Sequence, residues 1–425
     1  MKKKMKKRKK IVKTTNIKTT NIKKLSKTKK LKRRTVKNKK INKKDKSKKR
    51  NEKKLRKKNQ IQIFKKVSKK ERKSAKKEKT SFKKEKTSLI FKKEPENPII
   101  KPLKEHHWEA WQTFNPGVIL LNDVVHFLYR AIGEDGISRL GYAASKDGFC
   151  IDERLPYPVY EHKTKNNHFS YFNFYSFLSG GSFGGAEDPR IVQVENEDVL
   201  YMTYTACQNG EIRVALTSIK VDDFLNKKWH WKSPIFISPP GEVHKNWVIF
   251  PEKIKGKYAI LHSLNPEVLI AYVDDLEFKT NTCIRSYYGG EPRKGCWDKW
   301  VRGAGTVPLK TKYGWLLFYH AMDDDWSKYK VGAMILDYNN PGKIICRSKE
   351  PILVPDRDYE NYGFKSGVVY ASGAVVKKEN ILLYYGGADS YVCVAYANFN
   401  EFVENLIKKS QVKFERKIMK KINAC

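Results

Sequence analysis

Short strand-like segments recur along the chain after residue 104. They are rich in Val, Ile, Tyr and Phe and are separated by Gly, Asn, Asp and Pro turns. Groups of three segments begin roughly 50 to 65 residues apart, and three groups share a similar middle segment: LYMTYTA, WLLFYHA and LLYYGGA. Antiparallel groups at this period are typical of a β-propeller, whose blades bury their faces against one another. The sequence therefore predicts an all-β, five-bladed β-propeller, with a sandwich or barrel as the alternative.

The predicted strands fall into five sets, followed by one short helix. The strands are Val118 to Leu121, His126 to Arg130 and Leu140 to Ser145; Glu187 to Val194, Leu200 to Thr205 and Ile212 to Ser218; Trp247 to Phe250, Lys257 to His262 and Leu269 to Val273; Thr306 to Leu309, Gly314 to His320 and Val331 to Tyr338; Val368 to Val376, Ile381 to Tyr385 and Tyr391 to Ala397. The amphipathic segment Asn400 to Lys409 predicts a C-terminal helix that buries Phe402, Leu406 and Ile407.

The first 100 residues differ sharply from the rest in charge. They contain 46 Lys and Arg against 7 Asp and Glu, a net charge of +39, whereas residues 101–425 have a net charge of +4. A segment this charged, with no Trp, Tyr, Gly or Cys, cannot bury enough apolar surface to fold. We therefore expect a disordered basic tail over residues 1–104 and a folded β-propeller domain over residues 105–425. The tail is either an arm that binds nucleic acid or another anionic surface by counterion release, or a solvated polycation without a specific partner.

Several features bear on the compartment and on metal binding. There is no apolar run of roughly 18 residues, and the basic start of the chain lacks the apolar core of a signal peptide. The seven cysteines are scattered and form no CxxC pair. These features predict a cytoplasmic protein with no membrane span, disulfide or metal site. The His106-His107 pair and the acidic run Asp323 to Asp325 are accordingly interpreted as solvated loops rather than metal ligands.

One turn concentrates the chemistry: Gly184 to Arg190, with the sequence GGAEDPR, before the apolar run IVQV. Its glycines allow the backbone to pass close to a ligand, and the proline favours extended geometry at Asp188. If burial raises its pKa, Asp188 can act as a general acid oriented by Glu187 or Arg190. The alternative is a structural ion pair between these carboxylates and Arg190.

Seven segments in order resemble a known family. They are NPGVILLNDVVHFLYRA, SRLGYAASKDGF, GGAEDPRIV, VIFPEKIKGKYAILHS, RGAGTVPLKTKYGWLLFYHAMDD, YKVGAMILDYNNPGKIICRSKEPIL and YYGGADSYVCVAYA. Together they resemble glycoside hydrolase family 130, the β-mannoside phosphorylases and β-mannosidases built on five-bladed propellers. The resemblance covers Asn115 to Phe402, and the tail has no counterpart in it.

The resemblance implies an inverting attack on a β-linked mannoside, with Asp188 as the proton donor. In the phosphorylases of the family that proton is thought to pass through a hydroxyl of the mannosyl unit. The resemblance also implies a set of sugar-pocket residues. They are Asn115, Arg130, Arg139, Glu187, Arg190, His320 and Asp389.

The same resemblance leaves the attacking group open. The resemblance implies that the phosphorylases hold their phosphate co-substrate with cations at three positions. Here Lys245 provides the first cation. The other two positions fall on Ser263 and on Val301, with Arg302 one residue later. These departures favour hydrolysis, in which a carboxylate activates water. The candidates for that base are Glu252, Glu267 and Glu291. A phosphorylase that releases mannose 1-phosphate, or an inactive sugar-binding propeller tethered by the tail, is the alternative; no cofactor is expected.

Overall fold

The computed structural model describes residue 89 and residues 91–163, 180–208, 210–279, 282–287, 292–324 and 328–411. Strands dominate these ranges. Their cysteines are free thiols, and none of their helices has the length and apolar character needed to span a bilayer. The predicted tail lies almost entirely outside the described residues.

In chain order the strands are β1 (Lys92–Lys93), β2 (Gln112–Leu121), β3 (Val124–Ile132), β4 (Ile137–Ser145), β5 (Glu153–Arg154), β6 (Gly184–Gln193), β7 (Val199–Gln208), β8 (Glu211–Lys220), β9 (Ile235–Phe236), β10 (Val248–Ile249), β11 (Tyr258–Ser263), β12 (Leu269–Val273), β13 (Trp300–Ala304), β14 (Leu309–Thr311), β15 (Gly314–Met322), β16 (Lys330–Leu336), β17 (Ile344–Arg347), β18 (Val369–Lys377), β19 (Asn380–Gly387) and β20 (Tyr391–Asn398). The helices are His107–Glu109 (a 3-10 turn), Val221–Leu225, Asp358–Asn361 and Phe399–Gln411.

The strands form five antiparallel blades. Blade 1 contains β2 to β5, blade 2 contains β6 to β9, blade 3 contains β10 to β12, and blade 4 contains β13 to β17. Blade 5 contains β18 to β20, with β1 added at its outer edge. Blades 1 and 2 share one sheet because Ile137 and Ser138 of β4 pair in parallel with Gly184 and Gly185 of β6.

Hydrogen bonds join each blade to the next around a ring. The joining contacts are Thr203 Oγ1 to Trp247 O (2.7 Å), Asn246 Nδ2 to Arg302 O (3.2 Å), His320 Nε2 to Ala371 O (2.6 Å), Ser372 Oγ to Pro116 O (2.9 Å) and Asn115 Nδ2 to Asp188 Oδ1 (2.9 Å). The fifth blade therefore meets the first, and the predicted five-bladed propeller is confirmed.

The inner strands of four blades are interrupted by a β-bulge. The pairing shifts between Phe114 and Gly117 in β2 and between Glu187 and Arg190 in β6, and similar shifts occur in β13 and β18. A bulge turns the extra residue out of the ladder, and a proline fits there because it has no N–H to donate. Asp188 therefore has a φ of 49°. The expectation that its proline would hold it extended is wrong, because the bulge overrides the local preference.

In three blades, a tyrosine of the middle strand donates a hydrogen bond from its hydroxyl group to a buried carboxylate. The pairs are Tyr129 with Glu109, Tyr319 with Asp298 and Tyr385 with Glu360. Side chains alternate along a strand, so the residue after the tyrosine points to the opposite face. In blades 1 and 4 that residue is Arg130 or His320, and each reaches the inner strand of the next blade.

The folded part begins earlier than the predicted boundary at residue 104. Lys92 and Lys93 pair with Tyr396 and Ala395 of β20, and Phe91 is only 2% exposed. Lys93 Nζ also donates to the buried carboxylate of Glu360 at 2.6 Å. Residues 91–104 therefore belong to the domain, although composition grouped them with the basic tail.

The predicted strand Thr306 to Leu309 is misplaced: residues 306–308 are not strand, β13 ends at Ala304, and β14 begins at Leu309. β13 was not predicted; it contains a bulge between Val301 and Gly303, where Gly303 has a φ of 136°. The C-terminal helix is confirmed, with Phe402, Leu406 and Ile407 buried in the apolar core shared by blades 4 and 5.

Candidate active site

Asp188 lies at the junction of the first two blades, where two bulges meet. Its side chain is buried, and its Oδ1 atom accepts a hydrogen bond from Asn115 Nδ2 at 2.9 Å. Arg130 Nη1 donates to the same oxygen at 3.2 Å. Asn115 has a φ of 45°, close to that of Asp188. The two X-Pro bulges therefore place an amide and a carboxylate in direct contact.

Arg130 fixes the two acidic side chains of the GGAEDPR turn. Its Nη2 atom donates to Glu187 Oε1 at 3.0 Å and to Ser182 Oγ at 3.1 Å, and its Nε atom donates to Ser138 Oγ at 2.9 Å. Glu187 is fully buried, and its other oxygen, Oε2, lies 3.4 Å from Lys245 Nζ. Glu187 was expected to line the sugar pocket; it is placed instead to hold Arg130 and Lys245.

Arg190 is buried beside Asp188, and its guanidinium is only partly satisfied. Nη1 donates to the backbone oxygens of Asp188 at 2.8 Å and Pro189 at 3.2 Å. Nε and Nη2 are also buried, but neither has a hydrogen-bond partner among the described residues. A buried cation with unpaired donors is costly unless an anion completes it. Arg190 therefore offers two donors to an anionic ligand.

His320 presents a hydrogen-bond acceptor to the same region. Its Nε2 atom must carry the proton, because it donates to the carbonyl oxygen of Ala371 at 2.6 Å. The ring stacks on Tyr370 with centroids 3.8 Å apart. Burial, together with the charge of Arg190, lowers its pKa to about 3. His320 is therefore neutral at pH 7, and its buried Nδ1 atom has no partner among the described residues.

Asp389 lies in the tight turn between β19 and β20, where its φ is 49°. Its carboxyl is buried, and its backbone oxygen accepts a hydrogen bond from Gln112 Nε2 at 2.8 Å. Burial raises its pKa, and the charge of Asp188 raises it further, whereas Lys365 and Arg130 oppose this effect. Asp389 is thus electrostatically coupled to Asp188.

The residues expected to determine phosphate binding come together in one cleft. Lys245, Ser263, Val301 and Arg302 line one cleft, and Asn246 and His262 complete it. Arg302 is the extra residue of the β13 bulge, and its backbone oxygen accepts a hydrogen bond from Asn246. Tyr370 links the cleft to Arg190, because its hydroxyl donates to Asn246 at 2.5 Å and its ring centroid lies 5.8 Å from the guanidinium carbon of Arg190.

Three of the predicted residues that the structure describes, Arg139, Glu252 and Glu267, are not joined to this cluster. Arg139 pairs with Asp135 at 2.6 Å and Glu161 at 2.9 Å near the surface, whereas it was expected in the sugar pocket. Glu267 is exposed, and Glu291 lies outside the described residues.

Glu252 pairs with Lys310 at 2.5 Å. Lys310 is opposite Trp315, whereas His320 lies five residues further along β15, about 17 Å away at 3.3 Å per residue. Glu252 is therefore remote from the centre of the propeller. Its match to a family segment reflects a structural ion pair, and it is not placed to activate water.

The protonation state of Asp188 differs from the expectation. Burial alone would raise the pKa of this carboxyl, but Arg130, Arg190 and Lys245 together hold it below its ordinary value. Burial at the end of one strand could be anticipated from the sequence, whereas three cations contributed by three different strands and loops could not. In the unliganded protein Asp188 is therefore an anion at neutral pH.

Other side chains of the site were not predicted. Tyr370 packs against His320 and donates to Asn246 Oδ1 at 2.5 Å. Lys365 acts on Asp389 from the loop before β18. Ser182, in the SGGSFGG segment interpreted as a lid or turn, donates to Glu187 at 2.6 Å. Their sequence signals were weak, because an isolated Tyr, Asn or Lys in a loop is usually a surface residue.

The His106-His107 pair and the acidic run from Asp323, which were interpreted as solvated loops rather than metal ligands, have side-chain partners. His106 contacts Glu109 at 2.6 Å, and His107 contacts Glu134 at 3.0 Å. Asp323 pairs with Lys330 and Asp324 pairs with Lys299, whereas Asp325 lies outside the described residues. Each described member of these runs therefore takes part in a local ion pair.

The five-bladed propeller and the buried carboxylate between arginines suit a carbohydrate-active enzyme. The chain belongs to glycoside hydrolase family 130: a sequence profile of that family, described as β-1,4-mannooligosaccharide phosphorylase, matches residues 54–409. The resemblance predicted from the seven segments is confirmed. The match begins within the predicted basic tail. The protein is an enzyme of a family that acts on β-mannosides.

Known members of the family resemble most of the chain. A 1,2-β-oligomannan phosphorylase from Thermoanaerobacter sp. is 36% identical over 320 residues, which are 72% of this chain and 96% of the relative. The solved β-1,2-mannobiose phosphorylase from Listeria innocua, in complex with β-1,2-mannobiose, has a TM-score of 0.57 and 27% identity and covers 74% of this chain and 99% of its own. A solved member from work on family hydrolases that target β-1,2 mannosidic linkages in Candida mannan has a TM-score of 0.59 and 26% identity, covering 73% and 94%.

Proposed function

We propose that the protein is an inverting phosphorylase of β-1,2-linked mannosides and that Asp188 is its proton donor. The observation that carries this proposal is the buried guanidinium of Arg190, whose Nε and Nη2 atoms lack partners among the described residues. Arg190 adjoins a cleft lined by Lys245 and Arg302. Such a group of cations suits a dianion that must be desolvated and held against a sugar.

The proposed reaction places the phosphate and the leaving oxygen on opposite sides of the anomeric carbon of the mannosyl unit. A phosphate oxygen, held by the cations, forms a bond to C1 of the mannosyl unit while the bond from C1 to the leaving oxygen breaks. The leaving oxygen takes the proton of Asp188, either directly or through a mannosyl hydroxyl. Because attack occurs from the opposite face, the β-mannoside becomes α-mannose 1-phosphate.

Asn115 and Arg130 have a positioning role in this scheme. Both donate to Oδ1 of Asp188, so they orient the carboxyl while its other oxygen faces the reaction. His320 supplies a neutral acceptor for a sugar hydroxyl or a protonated phosphate oxygen. Asp389 supplies a second carboxyl for the sugar hydroxyls.

Phosphate is a better proposal than water for two reasons. Ser263 and Val301 suggested missing cations, but Arg190 and Arg302 supply positive charge in the same region. An inverting hydrolase also needs a free carboxylate roughly 6.5 to 9.5 Å from the acid. Of the two candidates that the structure describes, Glu252 is remote and paired with Lys310, and Glu267 is exposed. The earlier preference for hydrolysis therefore loses its basis.

The linkage is proposed from the relatives. The Thermoanaerobacter and Listeria enzymes are described by their β-1,2 linkage, whereas the family profile is described by the β-1,4 linkage. The 1,2-β-oligomannan phosphorylase aligns over 320 residues at 36% identity, whereas a β-1,4-mannooligosaccharide phosphorylase from Ruminococcus albus aligns over 185 residues at 30% identity, and this difference favours the β-1,2 bond.

The test is to incubate the protein with β-1,2- and β-1,4-mannobiose, each with and without inorganic phosphate, and to quantify mannose and mannose 1-phosphate. We expect phosphate-dependent cleavage of the β-1,2 disaccharide. Mannose release at the same rate without phosphate would support hydrolysis, and no turnover of any mannoside would support an inactive binding protein.

A further inference from the structure

Asp188 is surrounded by charged groups from every neighbouring blade, and positive charge predominates. The cations are Arg130 on β3, Arg190 on β6, Lys245 before β10 and Arg302 on β13. The acids are Glu187 on β6 and Asp389 after β19, and Lys365 faces Asp389. Neutral His320 on β15 completes the set. The charge on Asp188 therefore depends on how these cations are paired.

The cations differ in how far acidic side chains of the protein already neutralise their charge. Arg130 contacts both Glu187 and Asp188, so its charge is largely compensated within the protein. Arg190 takes part in none of the ion pairs among the described residues, and two of its donors are unpartnered. Lys245 pairs with Glu187 at 3.4 Å and also lines the cleft. A ligand in the cleft can therefore use the unpartnered donors of Arg190 together with the charge of Lys245.

A dianion bound to Arg190 and Lys245 changes the environment of Asp188 in two ways. It neutralises the field that stabilises the carboxylate, and it adds negative charge of its own nearby. It also displaces water, which increases the cost of an unpaired buried charge. The effect of burial on the pKa of Asp188 then outweighs the effect of the cations. The pKa rises, and the carboxyl of Asp188 binds a proton.

We infer that binding of a phosphate dianion among Arg190, Lys245 and Arg302 is coupled to uptake of one proton by Asp188. The inference rests on the proposed function, because it assigns the same cleft to phosphate. The proton comes from solvent and is bound at the carboxyl of Asp188. It passes to the leaving oxygen when the bond from C1 breaks, and Asp188 becomes an anion again.

This coupling gives the site an order of events. The acid is protonated only when the nucleophile is in place, so a mannoside bound without phosphate meets a carboxylate that cannot donate a proton. Linkage is reciprocal, so protonation of Asp188 also tightens the binding of the dianion. The same cations therefore both bind phosphate and discriminate against water.

Sulfate is a suitable probe because it resembles the phosphate dianion but does not titrate near neutral pH. The experiment is calorimetric titration of sulfate at pH 7 into the full chain, in two buffers of different ionisation enthalpy, which counts the protons taken up. The test variant is Asp188→Asn, which keeps the shape of the side chain. The matched control is Asp274→Asn, because Asp274 is exposed and its ion pair among the described residues is with Lys257 at the surface.

We expect wild-type protein and the Asp274→Asn variant to take up close to one proton for each sulfate bound. The Asp188→Asn variant is expected to bind sulfate more tightly with little proton uptake. A second measurement follows the dissociation constant for sulfate between pH 7.5 and pH 5.5. In wild type it should fall by up to about tenfold per pH unit, and in Asp188→Asn it should be nearly constant.

Two failures can be told apart. If wild-type protein binds sulfate and phosphate without proton uptake, or if Asp188→Asn takes up as many protons as wild type, the coupling is wrong while phosphorolysis stands. If neither anion binds to wild type, the cleft is not a phosphate site and the proposed function is contradicted together with the coupling.

Discussion

Asn115 Nδ2 donates a 2.9 Å hydrogen bond to Asp188 Oδ1 across the junction of blades 1 and 2. Both residues precede a proline, both occupy a β-bulge and both have a positive φ. The same X-Pro bulge thus occurs in two blades, and it turns the side chains of Asn115 and Asp188 out of their strand ladders and towards each other. The acid is oriented by the fold itself rather than by a flexible loop.

The first prediction concerns Asp188. The substitution Asp188→Asn removes the proton donor but preserves size, and we expect kcat to fall by about 10²- to 10⁴-fold. The measurement is the initial rate with β-1,2-mannobiose and phosphate, with Asp274→Asn as the control. An unchanged rate would show that another group donates the proton.

The second prediction separates phosphate binding from sugar binding. Lys245→Met removes a cation from the cleft, and we expect KM for phosphate to rise about tenfold or more while KM for the mannoside changes little. Lys257→Met is the matched control, because Lys257 forms an exposed pair with Asp274. Equal effects on both Michaelis constants would argue against a phosphate role for Lys245.

The third prediction uses close packing around Asn115. A Cβ atom at Gly386 would overlap Asn115 Oδ1, whereas one at Gly342 would come no closer than 3.4 Å to its neighbours. We therefore expect Gly386→Ala to displace Asn115 and to lower kcat, and Gly342→Ala to leave activity unchanged. The comparison requires that both variants give the same far-ultraviolet circular dichroism as wild type. Full activity of a folded Gly386→Ala protein would show that the contact between Asn115 and Asp188 is dispensable.

The fourth prediction follows from the lowered pKa of His320. Its pKa is about 3 in the folded protein against an ordinary value of 6.5, so between these values the unfolded chain binds a proton that the folded protein does not. Its contribution to stability is complete above pH 6.5 and is lost as the pH falls towards 3.

We expect the melting temperature to fall less steeply between pH 7 and pH 5 in His320→Gln than in wild type. His107→Gln serves as the control because His107 is exposed at the surface. Parallel curves for wild type and His320→Gln would contradict a neutral buried His320.

Local patterns in the sequence were sufficient for the blade count and for the position of Asp188. Strand alternation and turn residues are properties of neighbours along the chain, so most of the inner and middle strands were predicted correctly. β1 was missed because Lys92 and Lys93 have the composition of the tail, although they pair with β20. β13 was missed because its glycines and Arg302 have the composition of a turn, although they form a bulge.

The electrostatics of the site could not be predicted in the same way. Asp188 is influenced by Arg130, Arg190 and Lys245, which are up to 115 residues apart in sequence and meet only when the ring closes. Glu252 shows that a good sequence match does not by itself place a side chain in the site. It lies in a segment that matches the family well, yet its side chain pairs with Lys310 away from the centre. Segment matching identified the family, and only the assembled blades determine which charges face one another.

The most direct test of the proposed reaction is phosphorus and proton NMR of the protein with β-1,2-mannobiose and inorganic phosphate. We predict that α-mannose 1-phosphate and mannose appear together in equal amounts, and that Arg190→Met abolishes the phosphorylated product. Production of two mannose molecules per disaccharide, at a rate independent of phosphate, would contradict it.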